Sequence, residues 1–391
     1  MTRWRSQSFR TGALKAGVNP TVVENAIGAA ERVLGVNPEL PPVLSLRHLA
    51  HLSDTPYGLL RKYASRESFD PYTTFRIHKR PLNGWIRYRT IAVPEPALLK
   101  VQRWITQKIL VHARPHEASV AFSKGDTLYE AVAGHCDCRW LIKVDIRNFF
   151  ESINEIAVYR VFQSLGYQRL VAFELTRLCT RMGGESRIRS KRRWHLDWEK
   201  WTAIPRYEAW NPTGGPRIGH LPQGAPSSPM LGNLAVQEVD KEIASVAKAF
   251  GLTYTRYADD ILLSTRRDDF SRSNGRTVVG KVTAALGKWG LGANSAKTTI
   301  SPPGGRKLAL GLLLDGSSPK LPRDFKANLR QHLYYLENPA IGPVGHARER
   351  GFASVTGLRN HLQGLVSFAL QIEPEYGNQV KARLATVDWP F

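Results

Sequence analysis

The sequence predicts an α+β fold that combines an antiparallel sheet with helices. Residues 141–146 form an apolar strand pattern with one acid near its end, and two β-rich runs flank a turn at residues 257–260. Apolar residues recur at helical spacing from Met230 onward and in two earlier segments. With 391 residues, of which 42% are hydrophobic, the chain is long enough to bury a sizeable core.

The N-terminal 45 residues are predicted to form an extension with a helix over residues 22–34, which a Gly-Val-Asn-Pro sequence ends. Two basic, β-rich segments follow, and they are typical of a hairpin. Lys79 and Arg89 lie in this hairpin, and side chains of these two types can bind phosphate oxygens, Lys as a point charge and Arg bidentately. A solvated basic hairpin is the alternative. A helix is predicted to begin near Leu99.

Three aspartates carry the clearest chemical signal. Asp145 interrupts an apolar run, where an unpaired charge is costly unless a cation or hydrogen-bond donors compensate it. Asp259 and Asp260 lie in a tight turn that places both carboxylates in one exposed position, where hard oxygen ligands suit Mg²⁺. The main-chain carbonyl of Ile146 adds a further oxygen. We therefore predict a two-metal site for phosphoryl transfer, while polar turn residues are the alternative for each segment taken alone.

Two further segments extend this pattern. Residues 221–229 read Leu-Pro-Gln-Gly-Ala-Pro-Ser-Ser-Pro, and their Gly and Pro content predicts a tight loop that leads into a helix. Residues 292–300 contain Lys297, whose ammonium group is able to donate a proton or contact a phosphate, and an ordinary surface lysine is the alternative. Residues 308–314 are predicted to form an apolar hairpin.

In order and spacing, these segments resemble the reverse transcriptases, most closely the retron and group II intron branch found in bacteria. Asp145 resembles the first acid of the family's motif A, residues 257–260 resemble its catalytic tetrad, and residues 221–229 resemble its motif B. The resemblance covers most of the chain. It implies a right-hand polymerase with fingers, a palm built from an antiparallel sheet with helices, and a mostly helical thumb.

The resemblance also implies roles for individual residues. The implied residues are catalytic Asp145, Asp259, Asp260 and Lys297; substrate-binding Lys79, Arg89, Ile146, Phe149, Phe150, Gln223, Tyr257 and Ala258; and metal-binding Asp145, Ile146, Asp259 and Asp260. Two Mg²⁺ ions are the implied cofactors, with Mn²⁺ as an alternative. The ring of Phe150 is expected to abut the sugar 2′ position, so that deoxynucleotides are preferred. Ordinary core packing is the alternative for both phenylalanines.

The same comparison suggests a division of the chain into domains. We expect an N-terminal extension at residues 1–45, interleaved fingers and palm at residues 46–315, and a thumb at residues 316–391. A basic, Trp-rich insertion occupies about residues 181–219. Cations interleaved with aromatic rings can bind phosphates and stack on unpaired bases, whereas a solvated loop is the alternative.

Charge favours a nucleic-acid partner. Lys and Arg number 55 against 33 Asp and Glu, which gives a formal net charge of +22. No apolar run approaches the roughly 20 residues that cross a bilayer, and the first residues lack an apolar signal core. The three cysteines form no disulfide framework, and the Cys-x-Cys spacing at Cys136 and Cys138 favours buried thiols over a zinc site. We therefore expect a cytoplasmic protein without a membrane partner.

Several functions remain open at this stage. The leading hypothesis is an RNA-directed DNA polymerase that copies a dedicated noncoding RNA with dNTPs into a DNA product, in antiphage defence. Because residues 130–135 and 308–311 depart from typical retron signatures, a retron and a retron-like defence enzyme both fit. Little length is left for maturase, endonuclease or RNase H regions. The alternatives are template-independent or protein-primed synthesis and a non-catalytic RNA-binding scaffold. An accessory protein or a second copy of the chain is a further candidate partner.

Overall fold

The computed structural model describes residues 4–66, 70–82, 85–182 and 218–390, and for residues 78–82 and 85–87 it describes the main chain alone. Almost all of the predicted insertion at residues 181–219 therefore lies outside the described residues. The described chain combines helices with antiparallel sheets, which confirms the α+β prediction at that level.

A four-stranded sheet holds the segments that carry the three aspartates. Its strands are β3 (Trp140–Asp145), β4 (Thr253–Tyr257), β5 (Asp260–Thr265) and β6 (Thr299–Ser301), in the spatial order β4-β5-β3-β6. Every neighbouring pair is antiparallel. The central position of β3 between β5 and β6 explains why all but one of its residues are buried.

Alternation along the central strands divides their side chains between two hydrophobic cores. Ile142 and Val144 of β3 belong to the larger core, whereas Leu141 points to the other side of the sheet and joins a second core. The neighbouring β5 behaves in the same way, with Leu263 in the first core and Leu262 in the second. Both faces of the sheet are therefore covered, and its strand ends stay in a fixed place.

Two smaller hairpins lie on either side of the sheet in the sequence. The first pairs β1 (Tyr72–Leu82) with β2 (Trp85–Pro94), and the second pairs β7 (Leu308–Ala309) with β8 (Leu312–Leu313). Both hairpins lie where the β-rich and apolar segments of the sequence predict them.

Helices cover both cores. The helices of the first 180 residues are α1 (Ser6–Lys15), α2 (Pro20–Val36), α3 (Leu46–Leu52), α4 (Tyr57–Ser65), α5 (Pro96–Lys108), α6 (Leu128–Ala133), α7 (Phe149–Ser152), α8 (Glu155–Ser164) and α9 (Arg169–Cys179). Two helices lie directly before β4 in the sequence, α10 (Ser228–Ala235) and α11 (Gln237–Phe250). Helix α12 (Arg272–Lys288) follows β5. The C-terminal helices are α13 (Arg323–Glu337), α14 (Gly342–Glu349), α15 (Val355–Ile372) and α16 (Pro374–Ala385).

The helix predicted over residues 22–34 corresponds to α2, which begins at a proline after the N-cap Asn19. Its Val33, together with Leu40 and Val43, packs into the larger core, so the first 45 residues are attached to the body of the protein. The C-terminal helices build the second core around Leu329 and Leu362. No helix in the described part of the chain is long and apolar enough to cross a membrane.

Candidate active site

The turn between β4 and β5 carries two of the three aspartates. Tyr257 pairs with Asp260 at the end of the hairpin, which leaves Ala258 and Asp259 as a two-residue turn. Ala258 has a φ of 52°. A residue other than glycine is strained in this left-handed region. Two-residue hairpin turns nevertheless require a positive φ at their first turn residue. The turn is therefore a locally unfavourable conformation that surrounding contacts must hold.

Asp145 completes the group of acids. It is the last residue of β3 and pairs with Asp260 across the β3–β5 ladder. The following residue, Ile146, donates its main-chain N–H to the carbonyl oxygen of Asp259 over 2.8 Å. The structure thus brings Asp145, Asp259 and Asp260 to one end of the sheet, with the main chain of Ile146 beside them.

The three carboxylates are close enough for the charge of one to raise the pKa of another. The pKa of Asp260 is raised to about 6, first by burial and then by the negative charges of Asp259 and Asp145. The pKa of Asp259 is also raised, by burial and then by Asp145, while the cationic side chains of Lys297 and Arg89 oppose the shift. Such a group of hard oxygen donors is suited to a divalent cation, which removes the repulsion.

Asp145 is held by two residues that precede β6. Its Oδ1 accepts a hydrogen bond from the Asn294 side chain over 2.8 Å, and its Oδ2 pairs with Lys297 Nζ over 2.5 Å. The main-chain N–H of Asn294 also donates to the carbonyl oxygen of Asp145 over 2.7 Å. Within the described ranges, no three His, Cys, Asp or Glu side chains are arranged as a metal-binding group. A cation could bind Asp145 only if these contacts were exchanged.

The first hairpin contributes basic residues. Arg89 is exposed on β2, and its effect on the pKa of Asp259 shows that its charge acts at the acidic group. Lys79 lies on β1 with its main chain opposite Arg87, and its side chain lies outside the described atoms.

The loop before α10 packs against β2. The N–H of Ala92 donates to the carbonyl oxygen of Gln223 over 2.7 Å, and Gly224 follows with a φ of 113°. A Cβ at Gly224 would lie 2.8 Å from Cγ2 of Ile91. Glycine is therefore required both by the backbone conformation and by the close approach of the strand. The partly exposed Gln223 is fixed by this contact.

The two phenylalanines after Asp145 have different surroundings. Phe149 is 4% exposed and belongs to the larger core, whereas Phe150 is only partly buried. Their rings meet edge to face with centroids 5.3 Å apart. Both rings pack close to Gly232 of α10, where a Cβ would lie 3.0 Å from Phe149. Burial favours a packing role for Phe149 and leaves Phe150 as the less buried of the two rings.

Sequence reasoning missed a buried polar network under the turn. Arg256 and Asp240 form a bidentate ion pair in which both side chains are fully buried. Asn233 accepts a hydrogen bond from Arg256, and Tyr254 donates one to Asp240. One signal was present, because Asp240 shares the apolar stripe of its helix with Val239 and Ile243.

His135 forms a second buried contact in the same hairpin. Its Nδ1 lies 2.7 Å from Ser264 Oγ, and its Nε2 lies 2.8 Å from Thr255 Oγ1. Burial lowers the pKa of His135 to about 4, so the ring is neutral near pH 7. The side chain therefore joins β4 to β5 as a structural element. The neighbouring Cys136 and Cys138 are buried thiols.

The chain is similar in sequence to known proteins of one family. The profile of the family described as "Reverse transcriptase (RNA-dependent DNA polymerase)" matches residues 77–312. The retron Ec86 reverse transcriptase of Escherichia coli is 27% identical over 294 residues, which cover 74% of this chain and 78% of that protein. The retron Mx162 reverse transcriptase of Myxococcus xanthus is 25% identical over 343 residues, which cover 84% and 64% respectively.

A further relative, the retron Ec83 reverse transcriptase of Escherichia coli, is 25% identical over 310 residues, which cover 78% of this chain and 85% of that protein. The matched family region includes all three aspartates and the β2 strand that carries Arg89. These relatives support a retron-type enzyme. The chain therefore belongs to the reverse transcriptase family, whose members are RNA-directed DNA polymerases.

Proposed function

We propose that the protein extends a primer with deoxynucleoside triphosphates on an RNA template, using Asp145, Asp259 and Asp260 to hold two Mg²⁺ ions. The observation that carries this proposal is the convergence of the three carboxylates, two of which have pKa values raised first by burial and then by the neighbouring negative charges. Mn²⁺ is an alternative ion. The main-chain carbonyl of Ile146 supplies an additional oxygen.

The ions would lower the pKa of the primer 3′-hydroxyl and neutralise charge on the departing pyrophosphate. The protein's own groups supply positioning and protons. Asp145 would exchange its contact with Lys297 Nζ for a cation, and Lys297 would then be placed to donate a proton to the pyrophosphate oxygen. Arg89 and Lys79 bind the triphosphate oxygens, which gain negative charge in the transition state. These roles rest on the proximity of both Lys297 and Arg89 to the acidic group.

The remaining residues shape the substrate site. Gln223 lies beneath the templating base pair on the loop that Gly224 seats against β2. Phe150, the less buried of the two rings, lies against the sugar 2′ position and so favours deoxynucleotides. Tyr257 and Ala258 support the primer end from the turn.

We assign the domains on the same basis. The four-stranded sheet forms the palm and the β1–β2 hairpin forms the fingers tip, within residues 46–315. The four C-terminal helices form the thumb, within residues 316–391, and residues 1–45 form the extension. The net charge of +22 supports a nucleic-acid duplex as the bound partner.

The template is proposed to be a dedicated noncoding RNA, and the biological role to be antiphage defence in the cytoplasm. The similarity to retron reverse transcriptases supports this extension. An accessory protein or a second copy of the chain would complete such a system. A phage challenge of cells that express the wild type or an Asp259→Asn, Asp260→Asn variant tests the role. Equal phage growth in both strains would contradict it.

The activity is tested with the purified protein and its co-purifying RNA. Labelled deoxynucleotides and Mg²⁺ are added, and the product is sequenced. Product complementary to the bound RNA supports the proposal. A repetitive product without a template match would instead indicate untemplated synthesis.

A matched pair of acids provides the control. The Asp259→Asn, Asp260→Asn variant removes two neighbouring carboxylates of the site, whereas Asp268→Asn, Asp269→Asn removes two neighbouring carboxylates on the exposed loop after β5. We expect product to disappear only in the first variant. Loss of product in both, or in neither, would contradict the assignment of the site.

A further inference from the structure

A buried ion pair lies directly beneath the candidate catalytic turn. Arg256 Nε lies 2.7 Å from Asp240 Oδ1, and Arg256 Nη2 lies 2.7 Å from Asp240 Oδ2. Both side chains are 0% exposed. The hydroxyl of Tyr254 donates to the same Asp240 Oδ1 over 2.6 Å. The guanidinium is therefore fixed to helix α11 in one orientation, because a planar fork that binds both carboxylate oxygens cannot rotate freely.

The remaining nitrogen of this guanidinium reaches the turn itself. Arg256 Nη1 donates to the carbonyl oxygen of Ala258 over 3.0 Å and to Asn233 Oδ1 over 2.9 Å. Ala258 is the residue with the left-handed φ, and Asp259 follows it directly. A strained backbone conformation persists only where surrounding contacts over-determine it. The contact with Arg256 is one of those contacts.

The same residue also joins a neighbouring segment to the turn. The main-chain N–H of Arg256 donates to the carbonyl oxygen of Ala118 over 2.7 Å, and Val120 donates back to the carbonyl oxygen of Arg256 over 3.0 Å. Asn233 donates to the carbonyl oxygen of Ala121 over 2.6 Å. The ring of Phe149, four residues after Asp145, lies 5.7 Å from the guanidinium carbon. Several segments of the site therefore meet at Arg256, through its main chain or through its guanidinium.

Stability alone does not account for such a pair. Apolar residues of similar volume often replace a buried ion pair without loss of stability, whereas removal of a single partner leaves a costly buried charge. What apolar residues cannot supply is a donor for the Ala258 carbonyl. Buried pairs of this kind are retained where they specify one geometry.

We propose that Arg256, oriented by Asp240 and Asn233, is a positioning residue that sets the place of the Ala258–Asp259 peptide relative to Asp145. It acts through the turn and does not touch substrate. This inference rests on the proposed function, because it takes the turn to carry the reacting centre. The further point is that Arg256, a buried residue of the strand that leads into the turn, sets the alignment of the carboxylates.

The test removes the ion pair without leaving a buried charge. In the Arg256→Met, Asp240→Leu double variant, the fold is checked by its thermal unfolding midpoint. We expect a folded protein whose kcat for nucleotide incorporation is lowered about a hundredfold, because a displacement of about 1 Å at a reacting group has an effect of that size. The KM for deoxynucleotide and the Kd for primer–template should change by less than threefold. A folded double variant with wild-type kcat would overturn the proposal.

A conservative substitution separates positioning from charge. Arg256→Lys keeps a cation near Asp240 but cannot reach Asp240, Asn233 and Ala258 together. We expect this variant to remain folded and to keep a low kcat, whereas recovery of wild-type kcat would show that charge alone matters. Ser264→Ala serves as the control, because it breaks the buried contact with His135 in the same hairpin without touching the turn. Its kcat should equal that of the wild type.

Binding of Mn²⁺, measured by electron paramagnetic resonance without nucleotide, provides a readout that does not depend on activity. We expect Mn²⁺ affinity to fall at least tenfold in the double variant and to be unchanged in Ser264→Ala. A wild-type protein that binds Mn²⁺ but incorporates no nucleotide would contradict the proposed function alone. In that case, weakened Mn²⁺ binding in the folded double variant still supports the positioning role, and unchanged binding overturns it.

Discussion

Asp145 lies directly opposite Asp260 in the antiparallel pairing of β3 with β5. Like charges that face one another across neighbouring strands destabilise a sheet. Burial is the main reason that the pKa of Asp260 is raised to about 6, and the negative charges of Asp259 and then Asp145 contribute to this shift. The pairing therefore costs stability in the absence of a compensating cation, and it keeps two carboxylates side by side where a cation can bridge them.

Asp260→Asn should abolish nucleotide incorporation, by more than about a hundredfold, because it removes one oxygen donor of the cation site. In a solution without divalent cations, the free energy of unfolding should stay equal or rise, because the substitution also removes charge repulsion. Urea denaturation in a chelating buffer measures the second effect. A marked loss of stability would contradict the idea that Asp260 serves function at the expense of the fold.

Lys297→Ala should lower kcat by about 10² to 10⁴ with little change in the KM for deoxynucleotide, if Lys297 donates the proton to pyrophosphate. Lys297→Arg distinguishes the two roles of this residue. A guanidinium retains the charge but is a poor proton donor, so the Lys297→Arg variant should be as slow as the alanine variant. Single-turnover kinetics measure the chemical step. Near wild-type rates with arginine would instead support a phosphate contact.

If Phe150 limits access to the sugar 2′ position as proposed, Phe150→Ala should raise the incorporation of ribonucleotides relative to deoxynucleotides. The matched variant is Phe149→Ala, whose ring is buried in the core. This second change should lower the free energy of unfolding by about 3 to 5 kcal/mol. Competition between the two nucleotide types on a primed RNA measures the first effect. An unchanged preference in the Phe150 variant would remove the sugar-selection role.

Gly224→Ala should lower stability by more than about 1 kcal/mol and should weaken nucleotide binding, because a methyl group at this left-handed position lies 2.8 Å from Ile91. Gly280→Ala provides the control. Gly280 lies within α12 and has no neighbouring atom within 4 Å of an added Cβ, so this change should stabilise the protein by about 0.5 to 1 kcal/mol. Equal effects of the two substitutions would contradict the seating of the loop against β2.

His135 should make stability depend on pH. Its pKa is lowered from 6.5 to about 4 in the folded protein. The unfolded state therefore binds a proton first as the pH falls below 6.5, and stability present above that value is lost toward pH 4. From pH 7 to pH 5 this group should remove about 2 kcal/mol. His135→Gln should show a smaller loss over the same interval, and chemical denaturation at both pH values measures the difference. An equal loss of unfolding free energy between pH 7 and pH 5 in the two proteins would contradict the lowered pKa of His135.

Local patterns predicted a large part of this structure. The strand that ends at Asp145 and the hairpin that turns at Ala258 follow from apolar runs and turn chemistry, which neighbouring residues determine. The loop around Gly224 was predictable for the same reason. By contrast, the packing of Val33 into the main core was not predictable, because the pattern of an amphipathic helix does not reveal which surface covers it.

The network beneath the turn could not be predicted in the same way. Arg256 and Asp240 each look like ordinary surface charges, and only the three-dimensional pairing of β4 with α11 buries them together. Asn294 contacts Asp145 from 149 positions along the chain, and no local pattern indicates that pairing. The position of Asp240 on an apolar helical stripe was the one available signal.

The order of the strands has a consequence for the growing chain. Strand β3 lies at the centre of the sheet, yet both strands that flank it, β5 and β6, are synthesised more than a hundred residues later. During translation β3 cannot form its strand pairs until β5 and β6 have been synthesised, and contacts between such distant segments form slowly. Asp145 gains its neighbours only when residue 297 has emerged from the ribosome. A nascent chain therefore cannot copy nucleic acid until nearly the whole sheet has been made, which keeps early translation intermediates inactive.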